Sequence, residues 1–104
     1  MSFQDPEPRV HVGSHGSRDR TVVTPVGALD LGTRDVFRDA LAACEGHVVI
    51  DLSGVTFLDS SVLDVLVVQR TRLVANFGSL ELQRPRPWSR KVLEAVGLDA
   101  WITD

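Results

Sequence analysis

Apolar and polar positions recur along the chain in blocks that switch between a period of two and a helical period. Val10 and Val12 alternate with Arg9 and His11, which predicts a short edge strand over Arg9–Val12. Gly13 to Arg20 is turn chemistry throughout. Thr21–Gly27 reads TVVTPVG, a β-branched strand whose Pro25 lacks a donor and so favours an edge position or a bulge. Two strands joined by a polar, Gly-rich loop predict a hairpin. From Thr33 to Cys44, the residues Val36, Phe37, Ala40, Leu41 and Cys44 return at helical spacing, opposite Arg34, Asp35, Arg38 and Asp39. Thr33 stands at the cap of that helix and Gly46 just past its end. Val48–Leu52 is nearly all apolar, as a strand covered on both faces would be. Ser53–Leu58 is expected to be a loop whose Phe57 and Leu58 fold back into the core.

A second helix is predicted from about Ser60 to Val74. Its apolar sector is wide (Val62, Leu63, Val65, Leu66, Val67, Leu73 and Val74), with Ser60, Asp64 and Thr71 on a polar side. Ser79–Gln83 alternates as a strand, and the prolines at 85 and 87 stop it. Trp88–Val96 predicts a third helix with Val92, Leu93 and Val96 inward and Gly97 closing it. Trp101 and Ile102 suit a last short strand. The order is therefore β-β-α-β-α-β-α, with a final β. Strand–helix–strand units with right-handed crossovers make parallel neighbours, so the expected fold class is α/β: a small mixed sheet of about four or five strands with helices packed on it. Residues 1–8 are polar and proline-bearing and predict a loose tail. Residues 9–104 are expected to form a single domain.

Composition narrows the function classes. The chain has 104 residues, 43% hydrophobic and 24% charged, which suits one globular domain. The net charge is −3 with no block of like charges, so neither nucleic acid nor an anionic membrane is expected as the main partner. The N-terminus lacks the apolar core of a signal peptide, and the apolar run Val62–Val68 is broken by Asp64, short of the roughly 20 residues of a membrane span. A cytoplasmic protein is expected. The single Cys44 has no disulfide partner in the chain and sits on the apolar side of the first helix.

Several chemistries are missing. Neither phosphate-cradling glycine loop occurs. His11, His15 and His47 are scattered, with no metal-ligand spacing. Ser60 has no G-x-S-x-G elbow around it and no histidine placed as its base. Asp51 ends a central strand as a receiver's phosphoacceptor does, but no acidic pair follows the first strand, and Lys91, the only lysine, lies inside the third helix.

What stands out is Asp59-Ser60-Ser61, delivered by a buried strand and a loop to the start of an apolar helix. Capping alone explains these residue types, because their oxygens accept from the first free N–H groups, and Ser61 with Asp64 fits a capping-box spacing. The same free N–H groups and helix dipole also favour a phosphate on a serine there. Such a phosphate adds charge and bulk where a partner needs close contact.

The stretch Val48–Leu66 resembles the signature of the STAS domain, the family of bacterial anti-sigma factor antagonists. In that family a hydrophobic strand and a loop lead into D-S-[ST]-G-[LV] at a helix start; here Asp59-Ser60-Ser61-Val62-Leu63 takes its place. The family's G-[ED]-L-D turn is matched by Gly27-Ala28-Leu29-Asp30, and its late G-L by Gly97-Leu98 after Val92–Val96. The resemblance runs over residues 9–104. It implies a regulatory binding protein, not an enzyme, whose unphosphorylated form sequesters an anti-sigma factor serine kinase and releases a sigma factor. Ser60 is the implied phosphorylation site, and a serine phosphatase resets it. The kinase binds the ATP, so no cofactor is implied here. The implied docking surface comprises Asp30, Asp59, Ser60, Ser61, Asp64 and Thr71. The alternative is a STAS-type accessory or scaffold subunit, in a transporter or signalling complex, that binds without phosphorylation. Many members continue past the equivalent of Trp101 into a further helix; here a homodimer or a partner is expected to cover the sheet. Three positions depart from the pattern. Val62 replaces a usual glycine and is expected to hinder close approach by the kinase. Asp64, at a usually small position, is expected to disfavour the phosphate by a few tenths of a kcal/mol, about the size of an exposed helix pair. Ala28 replaces a usual acidic residue.

Overall fold

The computed structural model describes residues 9–14 and 20–103; the expected tail at residues 1–8 and most of the first turn lie outside them. Strands β1 (Arg9–Ser14) and β2 (Arg20–Leu29) pair antiparallel, as the hairpin pattern predicts. Helix α1 (Arg34–Ala42) leads to β3 (His47–Asp51), which lies parallel to β2. After a break at Leu52–Gly54 the chain pairs with β2 again as β4 (Val55–Leu58). A 3-10 turn at Ser60–Val62 runs into α2 (Leu63–Ala75). Strand β5 (Ser79–Gln83) joins the far side of β3 in parallel, and α3 (Pro87–Ala95) follows. The sheet runs β1-β2-β3-β5, with β4 pairing the second half of β2. The chain is thus mixed α/β, as its pattern predicts.

One sheet face carries the core. Val23, Val48, Ile50, Leu80 and Leu82 pack with Phe37 and Leu41 of α1, Leu63, Leu66 and Leu73 of α2 and Leu93 of α3. Each helix contributes its apolar stripe to this cluster, because a helix covering a sheet must bury one side and leave the other wet. Truncating any of these leucines to alanine removes roughly 2–5 kcal/mol in cores of this kind. Val49 is buried as well, yet it stands apart from the helix-side cluster, flanked in register by Val22 and Glu81. So β3 is apolar on both faces, and among the described residues the helix side chains of the core pack with Val48 and Ile50.

Four expectations change. Pro25 is not on an edge strand: β2 lies inside the sheet, and Pro25 falls between its β3 pairing, which ends at Val23, and its β4 pairing, which starts at Gly27. No donor is needed in that gap, and the register shifts right after it, so the bulge half of the expectation fits. Val55–Leu58 is a strand, not a loop; Leu58 is buried but Phe57 is 44% exposed. The apolar sectors of the helices are narrower than their valines suggest, since Val36, Val67, Val74 and Val96, all expected inward, are exposed. The end of the chain forms a 3-10 turn, Leu98–Trp101, and Ile102 makes a single parallel bridge to Leu82 in place of a strand.

Asp51 is a structural carboxylate. It pairs with Arg84 at 2.7 Å and accepts from the Ser53 backbone N–H at 2.9 Å, which fixes the break between β3 and β4. These donors, the Arg84 hydrogen bond first, lower its pKa to about 2 from an ordinary 3.8. The lowered value stabilises the fold fully above pH 3.8, and the gain is lost as pH falls toward 2. Arg84 is 60% exposed, so water screens the pair and its worth is about 1 kcal/mol. Asp51→Asn is expected to lower the urea midpoint at pH 7 and to converge on the wild type near pH 2. A gap that stays constant over that range would contradict the assignment.

Candidate functional site

Parallel strands deliver the helices that follow them to the same end of a sheet, and that end is where such folds usually place their sites. Here Leu29, the last residue of β2, pairs with Leu58, the last of β4, and the Asp59 N–H donates to the Leu29 carbonyl at 2.9 Å. This joins the Leu29–Asp30 turn to the Asp59–Ser61 loop.

The first turn is closed by reciprocal capping. Thr33 N–H donates to Asp30 Oδ1 at 3.1 Å, Asp30 N–H donates to Thr33 Oγ1 at 3.0 Å, and Thr33 Oγ1 donates to the Ala28 carbonyl at 2.8 Å. Thr33 is the residue before α1, but its hydroxyl serves the turn and makes no helix-capping bond. Ala28 takes part through its backbone, so the absence of an acidic side chain there leaves this network whole.

The second turn holds the Asp-Ser-Ser residues. Asp59 is extended and caps the 3-10 turn, accepting from the Ser61 N–H at a long 3.4 Å. The capping role thus falls to Asp59, and the Ser61–Asp64 capping box is not formed. Ser60 is exposed, and its hydroxyl donates only weakly, to Asp59 Oδ1 at 3.4 Å. Ser61 Oγ is buried with no hydrogen-bond partner. A buried, unpaired hydroxyl lowers stability, so removing it costs little. Ser61→Ala is expected to leave the unfolding free energy unchanged or to raise it by up to about 1 kcal/mol. A loss larger than that in chemical denaturation would mean that Ser61 has a partner.

Val62 is fully buried in the core cluster. Two residues on from Ser60 lies on the opposite side of a helix. The expected hindrance by its side chain therefore has no structural basis. Asp64 and Thr71 are exposed along α2, a rise of roughly 10 Å apart at helical pitch, and Thr71 Oγ1 donates back to the Val67 carbonyl at 2.9 Å.

Sequence reasoning missed Arg34. From the first position of α1 it crosses to the second helix start. Its Nε donates to the Ser61 carbonyl at 3.1 Å, and its Nη2 forms an ion pair with Asp64. The Arg34 hydrogen bond holds the Asp64 carboxyl below its ordinary pKa, and Asp64 raises that of Arg34. Asp64 is thus not an isolated negative charge beside Ser60, and the expectation that its charge opposes a phosphate must be revised. Its partners come within reach through the parallel pairing of β2 with β4, a strand that the sequence pattern reads as a loop.

The corner has no features of a hydrolase or metal centre. His47 lies at the other end of β3, with Nδ1 2.8 Å from Ser79 Oγ. Among the described residues no group of His, Cys, Asp and Glu is arranged to hold a metal, and no helix is long and apolar enough to cross a membrane.

Comparison with known proteins agrees with this architecture. A family model described as "Mlab, STAS domain" matches residues 12–104. The chain belongs to the STAS domain family. An anti-sigma F factor antagonist from Lysinibacillus sphaericus is 30% identical over 93 residues, covering 85% of this chain and 80% of that protein. The solved anti-sigma factor antagonist from Mycobacterium paratuberculosis is 26% identical, with a TM-score of 0.79 over 96% of this chain and 87% of that one. Unphosphorylated SpoIIAA, at 24% identity and a TM-score of 0.81 over 92% of this chain and 87% of that one, shares the fold. The geometry places Asp59–Ser61 at the entry to α2, with Ser60 the exposed residue of the three.

Proposed function

We propose that this STAS protein is an anti-sigma factor antagonist. Its unphosphorylated form binds an anti-sigma factor that is also a serine kinase, and Ser60 is the phosphoacceptor that turns binding off. The observation that carries this is the exposed Ser60 hydroxyl at the entry to a 13-residue helix, held by one long hydrogen bond, on a chain similar to an anti-sigma F factor antagonist. A hydroxyl so lightly engaged is accessible to a kinase. The helix start behind it tolerates the phosphate through its free N–H groups and dipole, so modification does not require unfolding. The docking surface comprises Asp30, Asp59, Ser61 and Asp64 at the corner and Thr71 two turns further along α2. Of these, Asp30 and Asp59 also hold the two turns in shape. The kinase supplies the ATP, and a serine phosphatase returns the protein to its binding form. The protein acts in the cytoplasm, as a binding protein and not a catalyst.

Incubation with the cognate anti-sigma kinase and ATP, followed by mapping of the phosphate by mass spectrometry, tests the proposal. Label is expected on Ser60 alone and is absent from Ser60→Ala. Label elsewhere, or none while the kinase binds, would overturn it.

A further inference from the structure

Arg34 joins the two helix starts at this corner through Asp64 and the Ser61 carbonyl, and its position suggests a second task. Ser60 opens the 3-10 turn that runs into α2, and Asp64 is the second residue of that helix. The Arg34 guanidinium lies between the two helix starts, bonded to the Ser61 carbonyl and to Asp64, with its side chain 27% exposed. A phosphate on Ser60 is carried by the residue next to that carbonyl. Guanidinium groups bind phosphate with paired, charge-assisted hydrogen bonds, and a dianion outcompetes a single exposed carboxylate.

We infer that Arg34 is the counter-charge of the phosphorylated form: on modification of Ser60 its guanidinium passes from Asp64 to the phosphate, and Asp64 is released to solvent. This rests on Ser60 as the phosphate-bearing residue. Arg34 is then a positioning residue that sets how firmly the corner holds the phosphate, and Asp64 is its competitor. In the unmodified form the pair neutralises one of the corner's carboxylates, Asp64. Arg34 has a further acidic neighbour, Asp35, with Oδ1 3.8 Å from its Nη1, beyond hydrogen-bond reach.

The test places phosphoserine at position 60 by genetic encoding, so that no kinase is needed and failure of the kinase assay does not bear on it. The second ionisation of the phosphate, near pH 6 when unperturbed, is read by phosphorus NMR titration. Arg34→Gln is expected to raise that pKa by about 0.3 unit or more, since the cation that favours the dianion is gone. Arg34→Lys keeps part of the effect. In an Asp64→Asn background the effect of Arg34→Gln is larger, because Asp64 no longer competes for the guanidinium. A pKa equal within about 0.1 unit in the wild type and Arg34→Gln would overturn the assignment. Equal effects of Arg34→Gln in both backgrounds would overturn the exchange with Asp64. Amide spectra of each variant confirm that it is folded.

Discussion

Ser60→Asp is expected to weaken binding to the anti-sigma kinase at least about tenfold, which is roughly 1.4 kcal/mol. Ser60→Ala is expected to keep the affinity within about threefold while accepting no phosphate. The asymmetry follows from the corner's electrostatics. Ser60 is exposed, its hydroxyl lies 3.4 Å from Asp59 Oδ1, and Asp64 is already paired with Arg34. The unmodified surface therefore presents a small neutral hydroxyl between two tightly bonded turns. An aspartate there brings a charge that a closely packed partner must desolvate, and it meets like charge on Asp59 next to it. A full phosphate carries roughly −1.5 to −2 and acts more strongly in the same direction. Because the site is open to water, the aspartate effect should shrink as salt is raised. Isothermal titration of the kinase with each variant measures all three outcomes. Equal affinities for Ser60→Asp and the wild type would remove Ser60 from the interface.

Gly78→Ala is expected to cost at least about 3 kcal/mol, the scale of a core backbone clash, and to lower the melting temperature by more than about 10 °C. A Cβ at Gly78 would lie 2.0 Å from the Gly46 carbonyl oxygen and 2.7 Å from its carbon. Neither atom can rotate away, because the same carbonyl accepts from the Ser79 N–H at 3.1 Å and so anchors the start of the β3–β5 ladder. Side chain and ladder cannot both fit. The neighbouring residue provides an internal control. Phe77 takes the left-handed position of the α2 C-cap, with φ 66, and is 95% exposed. Its N–H donates to the Val74 carbonyl, and the Gly78 N–H to the Leu73 carbonyl at 2.7 Å, the pairing of a Schellman cap. Phe77→Gly should therefore be neutral or stabilising by up to about 1 kcal/mol. Thermal unfolding of the two variants separates a requirement for glycine by close approach from one by backbone angle.

That turn also shows what a sequence can and cannot convey. Gly78 stands just past α2, where a helix end commonly takes a left-handed glycine. The structure gives that position to Phe77 and uses Gly78 for the approach of β5 to Gly46. Backbone proximity across 32 positions leaves no local trace in composition. Strands β3 and β5 and helix α1 were legible because their periods are clean and their ends carry turn residues. Strand β4 was not, since four residues with an exposed Phe57 between buried ends make too short an alternation. The width of the α2 stripe was over-read because valine occurs on both its core and its water-facing sides, and periodicity alone cannot divide them. At the site, the residues of both turns were legible from their chemistry. Arg34 was not, because its partners lie 27 and 30 positions away and only the parallel pairing of β2 with β4 brings them together.

The central claim is that a phosphate at this corner controls partner binding. The most direct measurement is a calorimetric titration of the anti-sigma kinase, without ATP, against the unmodified protein and against protein stoichiometrically phosphorylated at Ser60. Tight one-to-one binding of the unmodified form and a loss of at least about tenfold on phosphorylation are predicted. Equal binding of the two forms would contradict the account.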